Sequence, residues 1–352
     1  MASSKPDISV VVPLYNKEAY IVRCLHSVLG QTVQSSEIIV VNDGSSDRGA
    51  AIARELVHGG GRVIDQHNCG VSAARNRGME SASGEIIAFL DADDEWLPNH
   101  LEHIATLARR FPEAGLYGTG HERRGMDFRV RVTHERTTPT AVNLFRASQR
   151  HGLLTASSVA VRTDAFEACG GFQTSAALGE DMEWWNRLAL EWPVAFHPDV
   201  SSIYHLDVAD SAVATITGKC TSTHVVLNSL YLGLREGRAC SRTAEDVEAY
   251  MAYRMLDYAW WCIARGRTRL ARRALENRYL TQSALQREAR MLRTALQCLP
   301  ISALRLYYRV SRSRWCTPRI REHNGTIVHF STSGSSFRKQ THDREVRDRY
   351  GE

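Results

Sequence analysis

Apolar runs alternate with amphipathic stretches through the first third of the chain. The segment ISVVVPLYN is largely apolar, as buried strands are, and EAYIVRCLHSVLGQ after it has helical periodicity. The alternation continues through EIIVVNDGSSD, AAIARELVHGG, RVIDQHN, GVSAARNRGMESASG and EIIAFLDADD. Strands that alternate with helices at this pitch predict an α/β domain with a mostly parallel sheet and right-handed crossovers.

The order of elements changes after a fourth predicted helix, HLEHIATLARRF. A strand with a polar hairpin follows, then the amphipathic helix EDMEWWNRLALEW and the strand VAFHPDVSSIYHL. From about Val213 the pattern is helical and rich in Arg, with a weak strand signal at Gly325 to Phe330. We therefore predict an α/β domain over residues 1–212, a basic helical region over 213–330 and a polar, flexible tail over 331–352.

Length and composition place the chain among globular proteins. It has 352 residues, 43% of them hydrophobic, which is enough for a full core. The N-terminal MASSKPDISV lacks the layout of a secretory signal, and no apolar run reaches the roughly 18 residues that span a bilayer. The eight cysteines are scattered without a CxxC pair, which favours reduced thiols. We expect a cytoplasmic protein.

Charge is distributed unevenly along the chain. The stretch from Arg265 to Arg321 contains fifteen arginines and two acidic residues, whereas the whole chain has a formal net charge of +5, so the remainder is acidic. Basic amphipathic helices suit an anionic membrane surface, which predicts a peripheral contact through this stretch. A helical subdomain with a solvated basic face is an equal alternative. Nucleic acid is not expected as a partner, because no recognised binding motif accompanies the arginines.

A cluster of carboxylates follows the strand EIIAFLDADD. Asp91, Asp93 and Asp94 are crowded where the strand ends, and open α/β sheets bind their ligands at the carboxyl ends of strands. Hard oxygen ligands favour Mg²⁺ or Mn²⁺, which typically join one or two carboxylates to substrate phosphates. The alternative is a solvated turn and helix cap, since Asp is a favoured N-cap residue.

Two other strand ends converge on the same edge of the predicted sheet. Pro13 and Tyr15 lie where the first strand breaks and offer a ring and exposed backbone to a flat base. Asp43 can accept a hydrogen bond from a base imide or a sugar hydroxyl, although NDGSSD is also a good turn sequence. On the helix predicted in GVSAARNRGMESASG, Arg75 and Arg77 can direct guanidinium groups at phosphate or remain solvated.

A second pair of acids begins the helix EDMEWWNRLALEW. Glu180 and Asp181 follow GGF and the run QTSAALG, and they are either capping carboxylates or a functional base presented by a loop. Trp184 and Trp185 offer platforms for a sugar. Adjacent helical residues point about 100° apart, however, so at least one of the two is expected in the core.

Six of these segments resemble the family-2 glycosyltransferases over roughly Ile8 to Ser211. They are VVPLYN, VVNDGSSD, NCGVSAARNRG, FLDADD, GGF and ED followed by MEWWNRLA, in the family's order. The resemblance implies the GT-A fold, a Rossmann-like, mostly parallel sheet sandwiched by helices, here with a C-terminal helical appendage. It also implies a transferase that uses a nucleotide diphosphate sugar.

The same resemblance implies roles for individual positions. The residues that match the family's nucleotide-sugar pocket are Pro13, Tyr15, Asp43, Arg75, Asp91, Ala92 and Asp93. Asp91, Ala92 and Asp93 match the DXD motif, in which Asp91 would face the ribose and Asp93 would bind Mn²⁺ or Mg²⁺ on the diphosphate. Asp181 matches the catalytic base.

One part of the family pattern is displaced. Members often follow the last strand with Tyr-Arg-x-His, whose His approaches the metal, whereas this chain has His205 two places early and Asp207 in the expected position. Either residue could supply the metal ligand. For a lone His such as His205, a buried structural role is the usual alternative.

The predicted activity is inverting transfer of a hexosyl or N-acetylhexosaminyl group, with a UDP-sugar as the commonest donor in the family. The acceptor would be a hydroxyl of a glycan or lipid-linked molecule, in the synthesis of cell-surface polysaccharide or lipopolysaccharide on the cytoplasmic face of the membrane. A non-catalytic nucleotide-sugar-binding protein of the same fold is the alternative. A nucleotidyltransferase is disfavoured, because VVPLYNKEAY lacks a Gly-rich phosphate loop.

Overall fold

A computed structural model describes residues 6–148, 152–176, 179–208, 222–238, 241–283, 285–304, 321–323 and 326–332. The predicted boundary between residues 212 and 213 and almost all of the predicted tail lie outside these residues. The division into three parts therefore stays a prediction.

The described residues form twelve strands and twelve α-helices. The strands are β1 (Ile8–Leu14), β2 (Glu37–Asp43), β3 (Gly61–Gln66), β4 (Ile86–Phe89), β5 (Glu95–Trp96), β6 (Leu116–Arg124), β7 (Phe128–His134), β8 (Thr140–Val142), β9 (Val159–Arg162), β10 (Val194–His205), β11 (Arg321–His323) and β12 (Thr326–Thr332). The helices are α1 (Ile21–Leu29), α2 (Gly49–Leu56), α3 (Val71–Ser81), α4 (His100–Arg110), α5 (Leu144–Ala147), α6 (Thr163–Cys169), α7 (Glu180–Glu191), α8 (Ser222–Arg235), α9 (Ser241–Ala264), α10 (Thr268–Leu275), α11 (Arg278–Thr281) and α12 (Gln286–Cys298).

All twelve strands belong to one mixed sheet. Its main path runs β11-β12-β7-β6-β9-β4-β1-β2-β3, and β10 pairs with β6, β5 and β8. The four strands predicted first, β1 to β4, are parallel to their neighbours among themselves, whereas β9 runs antiparallel to both β4 and β6. The predicted α/β architecture is confirmed.

Helices cover both faces of the sheet because the strands are apolar on both sides. On β1, Val10 and Val12 face the core that includes α1 and α4, while Val11 between them faces the core that includes α3 and α7. Helix α1 buries positions with helical spacing, namely Ile21, Cys24, Leu25 and Val28. The carboxyl ends of β1, β2 and β4 consequently open at one edge, between the two layers.

The described residues between 222 and 304 form helices, as predicted, and two of these helices pack against the sheet domain. Helix α8 contacts α7, where Ser229 donates a hydrogen bond to Glu183, and α9 contacts α5, where Asp246 pairs with Arg146. The weak strand signal becomes β12, which pairs antiparallel with β7 and extends the sheet. In the described part of the chain, no helix combines the length and apolarity needed to cross a bilayer.

Candidate active site

The ends of β1 and β2 are tied to each other by their loops. The backbone N–H of Asn16 donates to Ser45 Oγ (3.1 Å), and the N–H of Ser46 donates to Asn16 Oδ1 (2.8 Å). Asn16 has a φ of 49°, a left-handed conformation that Asn tolerates better than most residues. Pro13 is buried beneath this turn, whereas the side chain of Tyr15 is 47% exposed and presents its ring at the edge of the sheet.

Asp43 fixes the start of α3. Its buried carboxylate accepts hydrogen bonds from the backbone N–H groups of Cys69 and Gly70 (both 2.8 Å) and from the side chain of Gln66 (2.8 Å). Gly70 has a φ of 88°, where a side chain would be strained. A carboxylate has about four lone-pair positions, so Asp43 retains acceptor capacity for the predicted contact with a base or ribose.

Arg75 on α3 joins two of the predicted acidic segments. Its buried guanidinium donates to Asp91 Oδ1 (2.7 Å) and to Glu180 Oε1 (3.1 Å), and it lies over the ring of Phe172. Burial alone would lower the pKa of Arg75, but the charges of Asp91 and Glu180 raise that pKa above its usual value. The DADD turn and the start of α7 therefore share one fully charged side chain. Arg77, by contrast, is exposed.

The aspartates of the DADD turn have different environments. Asp93 is paired with the ammonium of Lys17 (3.1 Å), and the small side chain of Ala92 is buried between the acids. Asp94 is buried and accepts hydrogen bonds from Ser157 Oγ and from the backbone N–H of His205. Burial, together with the charges of Asp91 and Asp93, raises the pKa of Asp94 well above its usual value. Asp94 thus stabilises the DADD turn through buried hydrogen bonds.

Asp181 lies in the first turn of α7, which begins after Gly179 with a φ of 81°. Its carboxylate is partly buried and accepts a hydrogen bond from the N–H of Met182. Burial and the adjacent charge of Glu180 raise the pKa of Asp181 to about 6, against the opposing charge of Arg75. The charge of Asp91 makes the smallest contribution to the same increase.

The donor set at the strand ends fits a divalent cation. Asp91 and Asp93 present carboxylate oxygens, and each is already balanced by a cationic side chain. In the part of the chain that the structure describes, Asp91, Asp93 and His205 do not form a group of three ligand atoms within 4.8 Å. An ion held through Asp93 would therefore need ligands from a bound diphosphate, as is usual for Mg²⁺.

His205 is held by carboxylates on both sides. Its Nε2 lies 3.1 Å from Glu95 Oε1 and its Nδ1 lies 3.6 Å from Asp207 Oδ1, and the side chain is buried. The backbone N–H of His205 also reaches Asp94, so this part of β10 adjoins the DADD turn. No role was predicted for Glu95 from the sequence, although it directly follows the acidic motif. The role of His205 as a metal ligand stays a prediction.

A buried ion pair anchors α7, and we call it the Glu183–Arg187 pair. Glu183 is fully buried, pairs with Arg187 (3.0 Å) and accepts a hydrogen bond from Ser229 on α8 (2.7 Å). Arg187 also donates to the backbone carbonyls of Cys169, at the end of α6, and of Gly171 in the GGF turn (residues 170–172). The pair therefore fixes the helix that carries Asp181 to the GGF turn and to the C-terminal region.

The two tryptophans of α7 belong to the core. Trp184 and Trp185 are almost fully buried and pack against Phe89 of β4 and Phe172 of the GGF turn. Neither offers an exposed platform for a sugar ring. The expectation that at least one of them lies in the core is fulfilled by both.

Comparison with known proteins agrees with this geometry. The family model described as "Glycosyl transferase family 2" matches residues 9–170. The uncharacterized protein MT1568 of Mycobacterium tuberculosis is 32% identical over 241 residues, which cover 62% of this chain and 72% of that protein. Glycosyltransferase GlyA of Streptococcus pneumoniae is 39% identical over 127 residues, 34% of this chain and 18% of GlyA. The chain spans a third or less of several such relatives.

Solved structures share the fold. Staphylococcus aureus TarS 1–349 in complex with UDP-GlcNAc superposes with a TM-score of 0.62 at 17% identity, covering 88% of this chain and 92% of that one. The mannosyltransferase PcManGT of Pyrobaculum calidifontis, in complex with GDP-Man and Mn²⁺, has a TM-score of 0.52 at 17% identity and covers 88% of each chain. The chain has the α/β GT-A fold and belongs to glycosyltransferase family 2.

Proposed function

We propose that this protein is an inverting glycosyltransferase. It would move a hexosyl or N-acetylhexosaminyl group from a nucleotide diphosphate sugar to a hydroxyl of a glycan or lipid-linked acceptor. The observation that carries the proposal is the guanidinium of Arg75, which contacts Asp91 of the DXD segment and Glu180, the neighbour of Asp181. A donor bound at the DADD turn and a base at the start of α7 would thus adjoin the same space.

The donor would bind along the strand ends. The ring of Tyr15 would pack against the base, whereas Pro13, which was predicted to lie at the break of the strand, is buried inside β1 and would only support this turn. The partly satisfied carboxylate of Asp43 would accept a hydrogen bond from the base or from the ribose. Asp91, Ala92 and Arg75 would line the ribose and diphosphate. A UDP-sugar is our preferred donor, in keeping with the UDP-GlcNAc in the structure of TarS.

The pKa of Asp181 suits a base that works near neutral pH. At about 6 it leaves the carboxylate mostly ionised at pH 7 and basic enough to accept a proton. Asp181 would take the proton of the acceptor hydroxyl while that oxygen attacks the anomeric carbon opposite the departing diphosphate, and configuration would invert. Mn²⁺ or Mg²⁺ held through Asp93 would neutralise charge on the leaving group when bound.

Lys17 adds to the electrostatics of the proposed site. Its ammonium lies 3.1 Å from Asp93 Oδ2 at the end of β1, next to the place where a diphosphate would bind. A fixed positive charge at this position would stabilise the leaving diphosphate together with Arg75. The segment that follows β1 therefore provides the ammonium of Lys17 to the proposed site, although it has no Gly-rich phosphate loop.

A screen of nucleotide sugars would test the donor. The protein should melt several degrees higher with a UDP-sugar and Mn²⁺ than with either alone, because a ligand at a hundred times its Kd stabilises by about 2.7 kcal/mol. Asp93→Asn should lose the dependence on Mn²⁺. Released nucleoside diphosphate, followed with and without added acceptors, would separate a transferase from the non-catalytic binder. A protein that no nucleotide sugar stabilises would contradict the proposal.

The proposed setting is the synthesis of cell-surface polysaccharide or lipopolysaccharide at the cytoplasmic face of a membrane. Helix α12 supports a membrane contact, since Arg287 and Arg290 are exposed beside Met291 and Leu299, which are 65% and 51% exposed. Arg265 and Arg267 lie over the ring of Trp261 near the start of α10. Exposed apolar side chains between arginines fit a surface of anionic lipid.

Vesicle sedimentation would test this contact. The protein should bind vesicles that contain anionic lipid and not neutral ones, and Arg287→Gln with Arg290→Gln should weaken binding by roughly thirtyfold, at about 1 kcal/mol for each Arg. A matched control is Arg109→Gln with Arg110→Gln, which removes the same charge from exposed positions of α4. Equal losses in both double variants would mean that net charge, not α12, governs binding.

A further inference from the structure

Two histidines and an aspartate meet between α4 and β10, away from the strand ends. His103 belongs to α4, and His197 and Asp199 belong to β10. One ligand atom from each lies within 4.8 Å of the other two, and His103 Nε2 is 3.9 Å from Asp199 Oδ2. His197 lies opposite Thr119 of β6 and His205 lies opposite Arg124, five residues further along. At about 3.3 Å per residue the two histidines are roughly 16 Å apart along the sheet, so this cluster is separate from the proposed donor site.

A bulge in β10 brings these side chains together. The register between β10 and β6 shifts between His197 and Val200 and again between Val200 and Ser202. Gly120 on β6 makes room for the bulge, because a Cβ there would lie 2.7 Å from the carbonyl oxygen of Pro198. Bulges redirect side chains and often occur at functional positions.

His103 has an unsatisfied nitrogen at this place. The residue is 8% exposed, its Nε2 contacts Asn99 Nδ2 (3.1 Å), and its Nδ1 has no hydrogen-bond partner among the described residues. Because an unpaired polar atom in a buried place is costly, the imidazole of His103 would gain from turning Nδ1 toward a ligand.

The donor set indicates which ligand is suitable. Two imidazoles and one carboxylate suit Zn²⁺, Co²⁺ or Ni²⁺, whereas Mg²⁺ prefers oxygen ligands alone.

The present ring geometry requires a local adjustment. The rings of His103 and His197 are stacked, with centroids 3.8 Å apart and planes 8° apart, and parallel rings cannot both direct an in-plane lone pair at one ion. His197 is only partly buried and Asp199 is exposed, so both side chains have room to turn. Rotation of His197 would exchange its hydrogen bond from the N–H of Asp199 for a metal bond.

We propose that His103, His197 and Asp199 bind a transition-metal ion of the Zn²⁺ class, which fastens α4 to the bulge of β10. Water would complete the coordination, since a site with three protein ligands keeps a fourth position. The site is independent of the Mn²⁺ or Mg²⁺ proposed for the donor. Its role would be to brace the strand that ends at His205.

Titration of the chelator-treated full chain with Co²⁺ would test the site. Excess Mg²⁺ should be present to occupy sites made only of oxygen, and no nucleotide should be added. We expect one Co²⁺ per chain with visible d–d absorption, displaced by Zn²⁺, and a higher melting temperature with Zn²⁺. His197→Gln and Asp199→Asn should each weaken binding by more than about tenfold, because even changes to residues that only orient a ligand cost about 10- to 100-fold.

Two controls make the outcome decisive. His58→Gln removes an exposed histidine elsewhere, and Asp93→Asn removes the proposed donor-site ligand, so both should bind Co²⁺ as the unmodified protein does. Binding that survives His197→Gln, that disappears in Asp93→Asn, or that gives no d–d absorption would overturn the proposal. Circular dichroism of each variant would confirm that these partly exposed substitutions leave the fold intact.

Discussion

Replacing Asp181 with Asn should leave nucleotide-sugar binding nearly unchanged and reduce turnover by about a hundredfold or more, the scale of general-base catalysis. The amide keeps the shape of the side chain but cannot accept the proton of the acceptor hydroxyl. Steady-state transfer assays and donor titrations on the same preparation would measure the two effects separately.

The pH profile gives this prediction a second readout. Because the pKa of Asp181 is raised to about 6, lowering the pH through 6 protonates the proposed base and kcat/KM should fall tenfold per pH unit below it. The residual activity of Asp181→Asn should lack this limb. Glu191→Gln, at the opposite end of α7, is the matched control and should keep both the rate and the profile.

As the pH rises through about 6, the folded protein should become less stable while its activity increases. An Asp has a pKa of about 3.9 in an unfolded chain. Since folding raises the pKa of Asp181, its stabilising contribution is complete below pH 3.9 and is lost as the pH rises through about 6. Asp181→Asn should therefore melt higher than the unmodified protein at pH 8. Wild-type-like turnover in that variant would reject Asp181 as the base.

The second large effect is expected at the Glu183–Arg187 pair. Arg187→Met should lower the free energy of unfolding by about 3–5 kcal/mol, because it leaves the carboxylate of Glu183 fully buried without its charged partner. The same change leaves the backbone carbonyls of Cys169 and Gly171 without their hydrogen bonds from Arg187. Urea unfolding, with the midpoint and slope compared between variants, would measure the loss.

An exposed pair in the same protein provides the control. Arg54 and Asp65 form an ion pair whose side chains are 48% and 58% exposed, so Arg54→Met should cost less than about 1 kcal/mol. Combining Glu183→Gln with Arg187→Met should recover part of the loss, since the buried charge is then gone. If Arg187→Met costs no more than Arg54→Met, the pair is not what holds α7 in place.

The sheet domain could be predicted from the local pattern of apolar and polar residues. Strands such as β1 and β2 are continuous apolar runs that end in turn residues, so both were located, and the predicted end of β1 lies two residues beyond its observed end. The short strands β5 and β8 were not predicted, because two or three residues leave no periodicity to detect. The position of β12 next to β7 was equally invisible, since strand pairing across a long separation has no local signal.

The candidate site was predicted as a set of segments but not as a set of contacts. The contact between Arg75 and Glu180 joins residues 105 positions apart, and only the packing of α3 against the GGF turn brings them together. Asp94 looked equivalent to Asp91 and Asp93 in sequence, yet it points inward to Ser157. The residue types alone indicated that acidic chemistry occurs at this edge of the sheet. Which of the aspartates is structural depends on burial, and burial depends on the whole fold.

Strand β12 is synthesised long after β7, the strand with which it pairs. More than half of the chain separates β7 from β12, so at about 5–20 residues per second β7 waits roughly 10 to 40 s for its outer neighbour. An open strand edge invites association with other nascent chains. Arg129 and Arg131 are spaced along β7 with exposed side chains, and their charge would discourage such association until translation is complete.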